Sequence, residues 1–374
     1  MPTRTGRGGD RFGGVAARPR RPGDPERPSR RRAGPPGRLA LTLRVGSVRF
    51  TGYYFAAFAA GIVHAGGAAR RWWLPAAVFC IANCLAIELT NRYADRIEDV
   101  VNRPERTALC EALDFATIRR ISIGLWAALA ASYALWFALA GNRELFAVQI
   151  ISWLVGWNYS VGLRFKGRPY GVLVVLTSTF VLPYLFGWSI VAPLARVPLA
   201  ILCVPTFIAS LSGIKDITDE AGDRLRGYRS RFLALVRGRS AGRLVALLAA
   251  PYLLVFLLIV AGAAPVRLAG FAILAPGSLG FAILVRNVAS SEEAMAVREC
   301  MYHFWFVAIA LDVWLIQPSN QLAVCLVAAA AFWIAASRRL HWMPGLQRAH
   351  LTQSWAVAVR AYRRAPRAEP GVDG

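Results

Sequence analysis

The sequence predicts an all-α polytopic membrane protein, and three observations lead to that fold class. The 374 residues are 56% hydrophobic and only 17% charged, which is too apolar for a pair of soluble domains. The charged residues are concentrated in short arginine-rich stretches that separate long apolar runs. Each of these runs is close to the roughly 20 residues that an α-helix needs to cross a bilayer.

Ten apolar runs are candidate membrane spans, and they set the order of the elements. The predicted spans are residues 50–68, 73–91, 120–140, 144–162, 170–191, 194–214, 243–263, 267–286, 302–317 and 320–337. Only "QPSN" separates the last two, so we expect a tight turn between them.

The spans lie in one membrane domain, residues 47–340, between two basic ends. Residues 1–46 hold twelve arginines among many prolines and glycines, a composition typical of a disordered tail. Residues 341–374 are a second basic tail, which either frays or forms an amphipathic helix at the membrane surface. Four large apolar residues recur there at helical spacing: Leu351, Trp355, Val359 and Tyr362.

A net charge of +23 is typical of proteins that bind nucleic acid, but the distribution of the charge along this chain argues against a nucleic-acid partner. More than half of the excess lies in the two tails. Basic segments beside a membrane domain are attracted to anionic lipid headgroups. The predicted partner of the tails is therefore the lipid bilayer, and no nucleic acid is expected.

The number of basic residues alternates between high and low in successive loops, and this predicts the orientation of the protein in the membrane. Residues 91–120, 163–169 and 215–243 hold six, three and eight basic residues, whereas the alternate loops hold two or fewer. Positively charged loops stay on the cytoplasmic side. We therefore expect an integral protein of the cell membrane with both termini cytoplasmic.

Two clusters of polar side chains follow the second and sixth spans, on the predicted cytoplasmic side. Asn91, Asp95 and Asp99 are spaced by four residues, which places them on one face if the second helix continues through them. A second set has similar spacing: Asp216, Asp219 and Asp223.

Carboxylates that share a helix face repel one another, so each cluster requires compensation. Mg²⁺ is one candidate, because it binds one or two carboxylates together with substrate phosphates. The alternative is that the carboxylates are solvated and balanced by neighbouring arginines. Two clusters of matching geometry on one side favour the metal site.

The two lysines of the chain lie near these clusters. Of the 44 basic residues, only Lys166 and Lys215 are lysines, the first in "NYSVGLRFKGRPYG" and the second directly before Asp216. An ammonium group serves as a point charge for phosphate, which favours a phosphate-binding role over chance placement.

These residues resemble the UbiA superfamily of intramembrane prenyltransferases. Members carry an N-D-x-x-D-x-x-x-D motif after the second helix and a D-x-x-D-x-x-x-D motif after the sixth. The segments "NRYADRIED" and "DITDEAGD" stand at those places, and "NRPER", "YSVGLRFKG" and "KDITDEAGDRLRG" are also similar to the family. The resemblance covers roughly residues 50–290 and implies a UbiA-like bundle of nine to ten transmembrane helices around a central cavity.

The chain departs from the family in three respects. Arg92 replaces the Asp that usually follows the first Asn, which alters how one metal ion would be held. Ala209 and Gly213 stand where some members have a Tyr and a Lys, so that role falls to Tyr159 and the two lysines. The family usually has nine helices, whereas ten runs are present here.

The resemblance implies a function and a set of site residues. An allylic isoprenyl diphosphate would bind with Mg²⁺ between the clusters, lose its diphosphate and pass its prenyl group to an aromatic acceptor. The implied metal ligands are Asn91, Asp95, Asp99, Asp216, Asp219 and Asp223. The residues implied to bind the diphosphate are Arg164, Lys166 and Lys215. The candidate walls of the substrate cavity are Tyr159, Trp157 and Tyr184.

Three other functions remain open at this point. Capture of the allylic cation by the double bonds of its own chain would make the protein a UbiA-type terpene cyclase, and phosphoribose transfer to a lipid phosphate also occurs within the fold. A membrane transporter would use Asp312, an acid in the middle of a predicted span. No inverted repeat or pair of Gly/Pro-broken spans, both common in transporters, is evident in the sequence.

Overall fold

The chain is helical throughout the part that the structure describes. The computed structural model describes residues 37–168, 171–225, 227, 233, 235 and 241–363. Within these ranges it contains α-helices and short 3-10 helices but no strand. Helices satisfy their backbone hydrogen bonds internally, as the bilayer core requires, and the predicted all-α membrane fold is confirmed.

Fifteen α-helices lie in the described ranges, and 3-10 helices extend or connect several of them. The α-helices are α1 (Arg38–Val45), α2 (Thr51–His64), α3 (Trp73–Ala94), α4 (Arg96–Asn102), α5 (Pro104–Leu113), α6 (Phe115–Ala140), α7 (Arg143–Ser160), α8 (Gly171–Ser189), α9 (Cys203–Leu211), α10 (Glu220–Leu225), α11 (Ala241–Val260), α12 (Ala275–Asn287), α13 (Ser291–Ile316), α14 (Asn320–Leu340) and α15 (Pro344–Arg363). The 3-10 helices of four or more residues are Ala69–Trp72, Leu199–Leu202, Ser212–Thr218 and Val266–Leu274.

Each of the ten predicted spans coincides with a helical stretch. Seven of the described stretches are long and apolar enough to cross a membrane by length and composition. The helix α2 is shorter, with 14 residues, and is almost completely buried. The helix α13 begins at Ser291, well before the predicted start at residue 302. Its polar first half was expected to be a loop, but Arg298 and Glu299 are buried there.

The last residues of the predicted N-terminal tail, residues 1–46, include a helix. Arg38–Val45 forms α1, and Leu41 and Val45 are buried in a cluster with Leu85 and Leu89 of α3. Apolar packing against α3 explains why these last residues of the predicted tail are ordered. Residues 1–36, for which disorder was predicted, lie outside the described residues.

The C-terminal segment forms a helix, α15, rather than a frayed tail. Ala358 and Ala361 are buried, and α15 packs against α12, α13 and α14. Trp355, Val359 and Tyr362 are on the exposed side of the helix. These three belong to the apolar set that predicted a surface helix, and the side chain of Leu351 lies outside the described residues.

The helices α2 and α8 cross in close backbone contact at two glycines. A Cβ atom on Gly61 would overlap with the carbonyl oxygen of Tyr184, and one on Gly187 would overlap with the carbonyl oxygen of Phe58. Small residues allow membrane helices to approach this closely, and the resulting packing holds them together. This crossing fixes one wall of the bundle that surrounds the candidate site.

Replacing Gly61 by alanine is expected to lower the melting temperature in detergent. The added methyl group must push α8 away, and overpacking of this kind costs about 1–3 kcal/mol. Gly124→Ala is the matched control, because a Cβ atom at Gly124 of α6 meets nothing within 4 Å. Equal melting temperatures for the two variants would contradict the close crossing.

Candidate active site

The first polar cluster lies at a break between two helices. The helix α3 ends at Ala94, Asp95 is its C-cap residue, and α4 begins at Arg96. The second helix therefore does not continue without a break through Asp99. The break separates the two carboxylates, which face different surroundings.

The Asp95 carboxylate is buried, with 2% of the residue exposed. Its Oδ2 accepts a hydrogen bond of 2.9 Å from Nζ of Lys166, and its Oδ1 is buried without a hydrogen-bond partner. Burial raises the pKa of Asp95 above its ordinary value, and the Lys166 ammonium only partly offsets this. The same pairing raises the pKa of Lys166, although burial alone would lower it.

The Asp99 carboxylate is surrounded by arginines. It pairs with Arg106 through Oδ1, while Arg92 lies 3.5 Å from Oδ2 and Arg103 lies 3.9 Å from Oδ1. Burial would raise the pKa of Asp99, but these three guanidinium groups outweigh it and lower the pKa. Asp99 is thus an ionised and fully compensated carboxylate.

The second polar cluster lies on a 3-10 helix and the turn that follows it. Asp216 is within Ser212–Thr218, is half-buried, and its Oδ1 lies 3.1 Å from Nζ of Lys215. Asp219 caps that helix and pairs with Arg103. Burial opposes ionisation of Asp219, but Arg103 and other cations outweigh it and lower its pKa. The side chain of Asp223 lies outside the described residues.

One asparagine joins the two clusters. Asn102, the last residue of α4, donates from Nδ2 to the carbonyl oxygen of Asp219 at 2.9 Å. Its Oδ1 accepts from the backbone N–H of Gly222 at 2.7 Å. A Cβ atom on Gly222 would press on the Asn102 side chain, so the position requires glycine. Asn102 therefore fixes the second cluster to the helix that follows the first.

Residues of both clusters line a single cavity of about 140 Å³. Seven cationic residues line it: Arg49, Arg92, Arg103, Arg106, Lys166, Lys215 and Arg298. Three acidic residues line it: Glu88, Asp95 and Asp219. Most of the remaining wall is apolar or aromatic and includes Phe50, Tyr53, Tyr54, Ile87, Tyr159, Val175, Leu176, Tyr302, Trp305 and Trp342. The cavity is lined by both cationic and apolar side chains, which suits an amphiphilic anion.

The structure brings together about half of the predicted site residues. Those that line the cavity are Asn91, Asp95, Asp219, Lys166, Lys215 and Tyr159. Those placed elsewhere are Asp99, Asp216, Arg164, Trp157 and Tyr184. Trp157 packs against Trp126 and Trp153 between α6 and α7. The Tyr184 hydroxyl hydrogen-bonds His64 in the helix core. Neither side chain lines the cavity that contains Asp95 and Asp219.

Several cavity residues were not predicted from the sequence. Arg103 and Arg106 belong to "NRPER", but they were counted only as basic loop residues. Arg49 pairs with Glu299 through two hydrogen bonds, of 2.6 and 2.9 Å, although 250 positions separate the two. Arg298 lies one residue earlier on α13 and donates from Nε to the Tyr302 hydroxyl at 3.1 Å. The available signal was the adjacent pair of opposite charges, Arg298 and Glu299, just before the predicted span 302–317.

The oxygen atoms of the cavity fit a divalent cation that a phosphate helps to bind. Asp95 offers a buried oxygen without a hydrogen-bond partner, and Asp219 and the Asn91 amide line the same cavity. No group of three or more His, Cys, Asp or Glu suited to a metal occurs in the described part of the chain. Mg²⁺ commonly binds one or two carboxylates and takes its other ligands from water and phosphate. The donor set therefore fits Mg²⁺ only together with a phosphorylated ligand.

The acid of the predicted span 302–317 lies apart from this cavity. Asp312 is completely buried on α13, and neither of its carboxylate oxygens has a hydrogen-bond partner. It does not line the cavity that holds Asp95 and Asp219.

Comparison with known families gives one match. The sequence model of the UbiA prenyltransferase family matches residues 53–307. This range contains both polar clusters and all the cavity cations except Arg49. No curated protein and no solved structure gives a significant match to the chain.

Proposed function

The chain belongs to the UbiA prenyltransferase family, and from that premise we propose that it is a Mg²⁺-dependent enzyme that transfers a prenyl group from an allylic isoprenyl diphosphate to an aromatic acceptor. Membership of the family and the apolar helices make it an integral membrane protein with prenyltransferase-type activity. The identities of the substrates and of the metal ion are what we propose here.

The excess of cations in the cavity carries this proposal. Seven cationic side chains and three carboxylates line the cavity, and the negative charge of a diphosphate would offset that excess. One guanidinium group can donate two parallel hydrogen bonds to phosphate oxygens, whereas the ammonium groups of Lys166 and Lys215 act as point charges. The adjacent apolar wall is suited to the isoprenyl chain, which has no polar group.

The reaction begins when the bond between the allylic carbon and the diphosphate oxygen breaks. The electron pair leaves with the diphosphate, and the surrounding Arg and Lys side chains stabilise that developing charge. When bound, Mg²⁺ adds Lewis-acid stabilisation of the same leaving group. Asp95 and Asp219, with Asn91 beside them, are the residues that would hold it.

The aromatic part of the wall protects the allylic cation that remains. Tyr53, Tyr54, Trp305 and Trp342 line the cavity, and aromatic faces stabilise cations while excluding water. A ring carbon of the acceptor then donates its electron pair to the allylic carbon, and the ring loses a proton.

A terpene cyclase would use the same ionisation step but no acceptor. The test is product analysis of membranes containing the protein, supplied with geranyl, farnesyl or geranylgeranyl diphosphate, with and without a phenolic acceptor. We expect a prenylated phenol only when the acceptor is present. A cyclic hydrocarbon or alcohol formed without acceptor would overturn aromatic transfer and support cyclisation. No specific observation favours transport, because Asp312 lies outside the cavity.

The proposal places the active site on the cytoplasmic side of the cell membrane. The basic loops that contain the two clusters support this side by the positive-inside rule. The basic tails would then face anionic headgroups of the same leaflet. Labelling of a single cysteine introduced at exposed Arg96 in spheroplasts, before and after permeabilisation, tests the orientation; labelling before permeabilisation would contradict it.

Replacing Trp342 by alanine is expected to increase capture of the allylic cation by water. The Trp342 ring is 3% exposed and lies over the Arg106 guanidinium at 5.6 Å, so its loss opens the cavity to solvent. The measurement is the fraction of substrate converted to prenyl alcohol. Trp355→Ala on the exposed face of α15 is the matched control. An unchanged alcohol fraction in Trp342→Ala would contradict a protective role.

A further inference from the structure

The acidic residue at the end of the first motif has a different environment from the other site carboxylates. We propose that Asp99 is a positioning residue that holds Arg92, Arg103 and Arg106 at the cavity, so that guanidinium groups bind the diphosphate and a single divalent cation binds beside Asp95 and Asp219. This inference rests on the proposed function, because it concerns the same diphosphate. It assigns roles that differ from those expected from motif spacing alone.

The position of Asp99 separates it from the cavity. Its three arginine partners line the cavity, whereas Asp99 does not. Only 6% of the residue is exposed, and both carboxylate oxygens face guanidinium groups. A metal ion could reach Asp99 only by displacing at least one buried arginine. Breaking a buried ion pair of this kind is costly, because it leaves an uncompensated charge.

Arg92 and Arg106 also contact groups other than Asp99. Arg92 pairs with Glu88 and donates from Nε to the carbonyl oxygen of Val45 at 3.2 Å. The Arg106 guanidinium lies under the Trp342 ring. These contacts restrict the guanidinium groups before any ligand arrives, which lowers the entropic cost of binding an anion.

Arg103 occupies the place between the two clusters. One of its terminal nitrogen atoms pairs with Asp219, and the other lies 3.9 Å from Asp99. A fixed cation thus already joins Oδ1 of Asp99 and Oδ1 of Asp219, and a metal ion beside Asp219 would have to use the other oxygen, Oδ2. The Asp95 oxygen without a hydrogen-bond partner lies outside this arginine group, so it remains able to bind a metal.

Arg92 adds a permanent positive charge directly after Asn91, the first residue of the first motif. Asp99 is shared among three guanidinium groups, two of which also pair with Glu88 and Asp219, so the carboxylates here are compensated without a metal ion. Fewer carboxylates and more arginines favour binding of one divalent cation per diphosphate.

The test counts Mn²⁺ ions bound to purified protein in the presence of a thiolodiphosphate analogue of farnesyl diphosphate, which resists ionisation. Equilibrium dialysis gives the number of Mn²⁺ ions, and calorimetry gives the affinity for the analogue. We expect one Mn²⁺ for the wild-type protein, one for Asp99→Asn, and none for Asp95→Asn. Asp99→Asn should weaken analogue binding by about 10-fold or more, because misplaced guanidinium groups lose charged hydrogen bonds.

Two further variants control for misfolding of Asp99→Asn and for the loss of a carboxylate elsewhere in the chain. Asp99→Asn combined with Arg106→Gln removes both partners of a buried pair, and it should retain one Mn²⁺ even if the single variant fails to fold. Asp114→Asn changes an exposed carboxylate that caps α6 and should match the wild-type protein in both measurements.

The outcomes separate this inference from the proposed function. Two Mn²⁺ ions on the wild-type protein, or loss of Mn²⁺ in both variants that lack Asp99, would overturn the positioning role and leave the prenyltransferase proposal standing. Failure of the wild-type protein to bind the analogue with Mn²⁺ would overturn the proposed function itself.

Discussion

Replacing Asp95 or Asp219 by asparagine is expected to reduce Mg²⁺-dependent release of diphosphate from an allylic diphosphate by at least about 100-fold, the range observed when one group that stabilises a transition state is removed. Both carboxylates line the cation-rich cavity, one on each motif. Asparagine preserves the shape of each side chain but removes the negative charge that holds a divalent cation.

The two variants should also differ from each other in a defined way. In Asp95→Asn the new amide oxygen would still accept a hydrogen bond from Lys166, whereas loss of the Asp219 charge leaves Arg103 with Asp99 as its remaining carboxylate partner. We therefore expect Asp219→Asn to melt at a lower temperature than Asp95→Asn. Diphosphate release is measured in detergent with and without Mg²⁺, with Asp114→Asn as the control. Release that persists at the control level in either variant would count against the proposed chemistry.

The sequence predicted which segments meet at the site because two local signals agreed. The four-residue spacing of Asn91, Asp95 and Asp99 placed polar oxygens at the end of a span. The second set, with Asp219, followed a different span on the same side. Both signals depend only on nearby residues, and the structure brings Asp95 and Asp219 to one cavity.

The path of the backbone through these motifs was not predictable from spacing. No glycine or proline marks the end of α3 at Ala94, so the pattern favoured one continuous helix. The break at Asp95 turns Asp99 toward Arg103 and Arg106, which follow in the sequence. The sequence is compatible with two ways of compensating the carboxylates, a metal ion or arginines. The structure shows arginine pairing at Asp99 and Asp219.

The contributions of distant segments were not predictable either. The buried Arg49–Glu299 pair joins residues 250 positions apart, and nothing local to either residue identifies the other. His341 reaches the same carboxylate, with Nε2 at 3.5 Å from Oε1 of Glu299. The next residue, Trp342, reaches the cavity from a segment that was interpreted as the start of a polar tail. The apolar residues of α1, likewise, have partners only in the folded bundle.

Replacing Asn102 by alanine is expected to lower the rate of diphosphate release by about 100-fold without removing any charge from the cavity. Asn102 joins the backbone around Asp219 to α4 through two hydrogen bonds, one donated and one accepted. Without them the second motif can shift relative to the first, and a misplacement of about 1 Å at a reacting group has a cost of this size.

Asn142 provides a control with the same kind of contacts. Asn142 is also half-buried, donates from Nδ2 to the carbonyl oxygen of Ser189 at 2.8 Å, and accepts from the backbone N–H of Leu145 at 3.0 Å. It does not line the cavity. Each substitution removes two hydrogen bonds, so both variants should lose about 1–3 kcal/mol of stability. Of the two asparagines, only Asn102 connects the two motifs, so only Asn102→Ala should lose diphosphate release. An equal loss of diphosphate release in both variants would show that the hydrogen bonds of Asn102 act through stability alone.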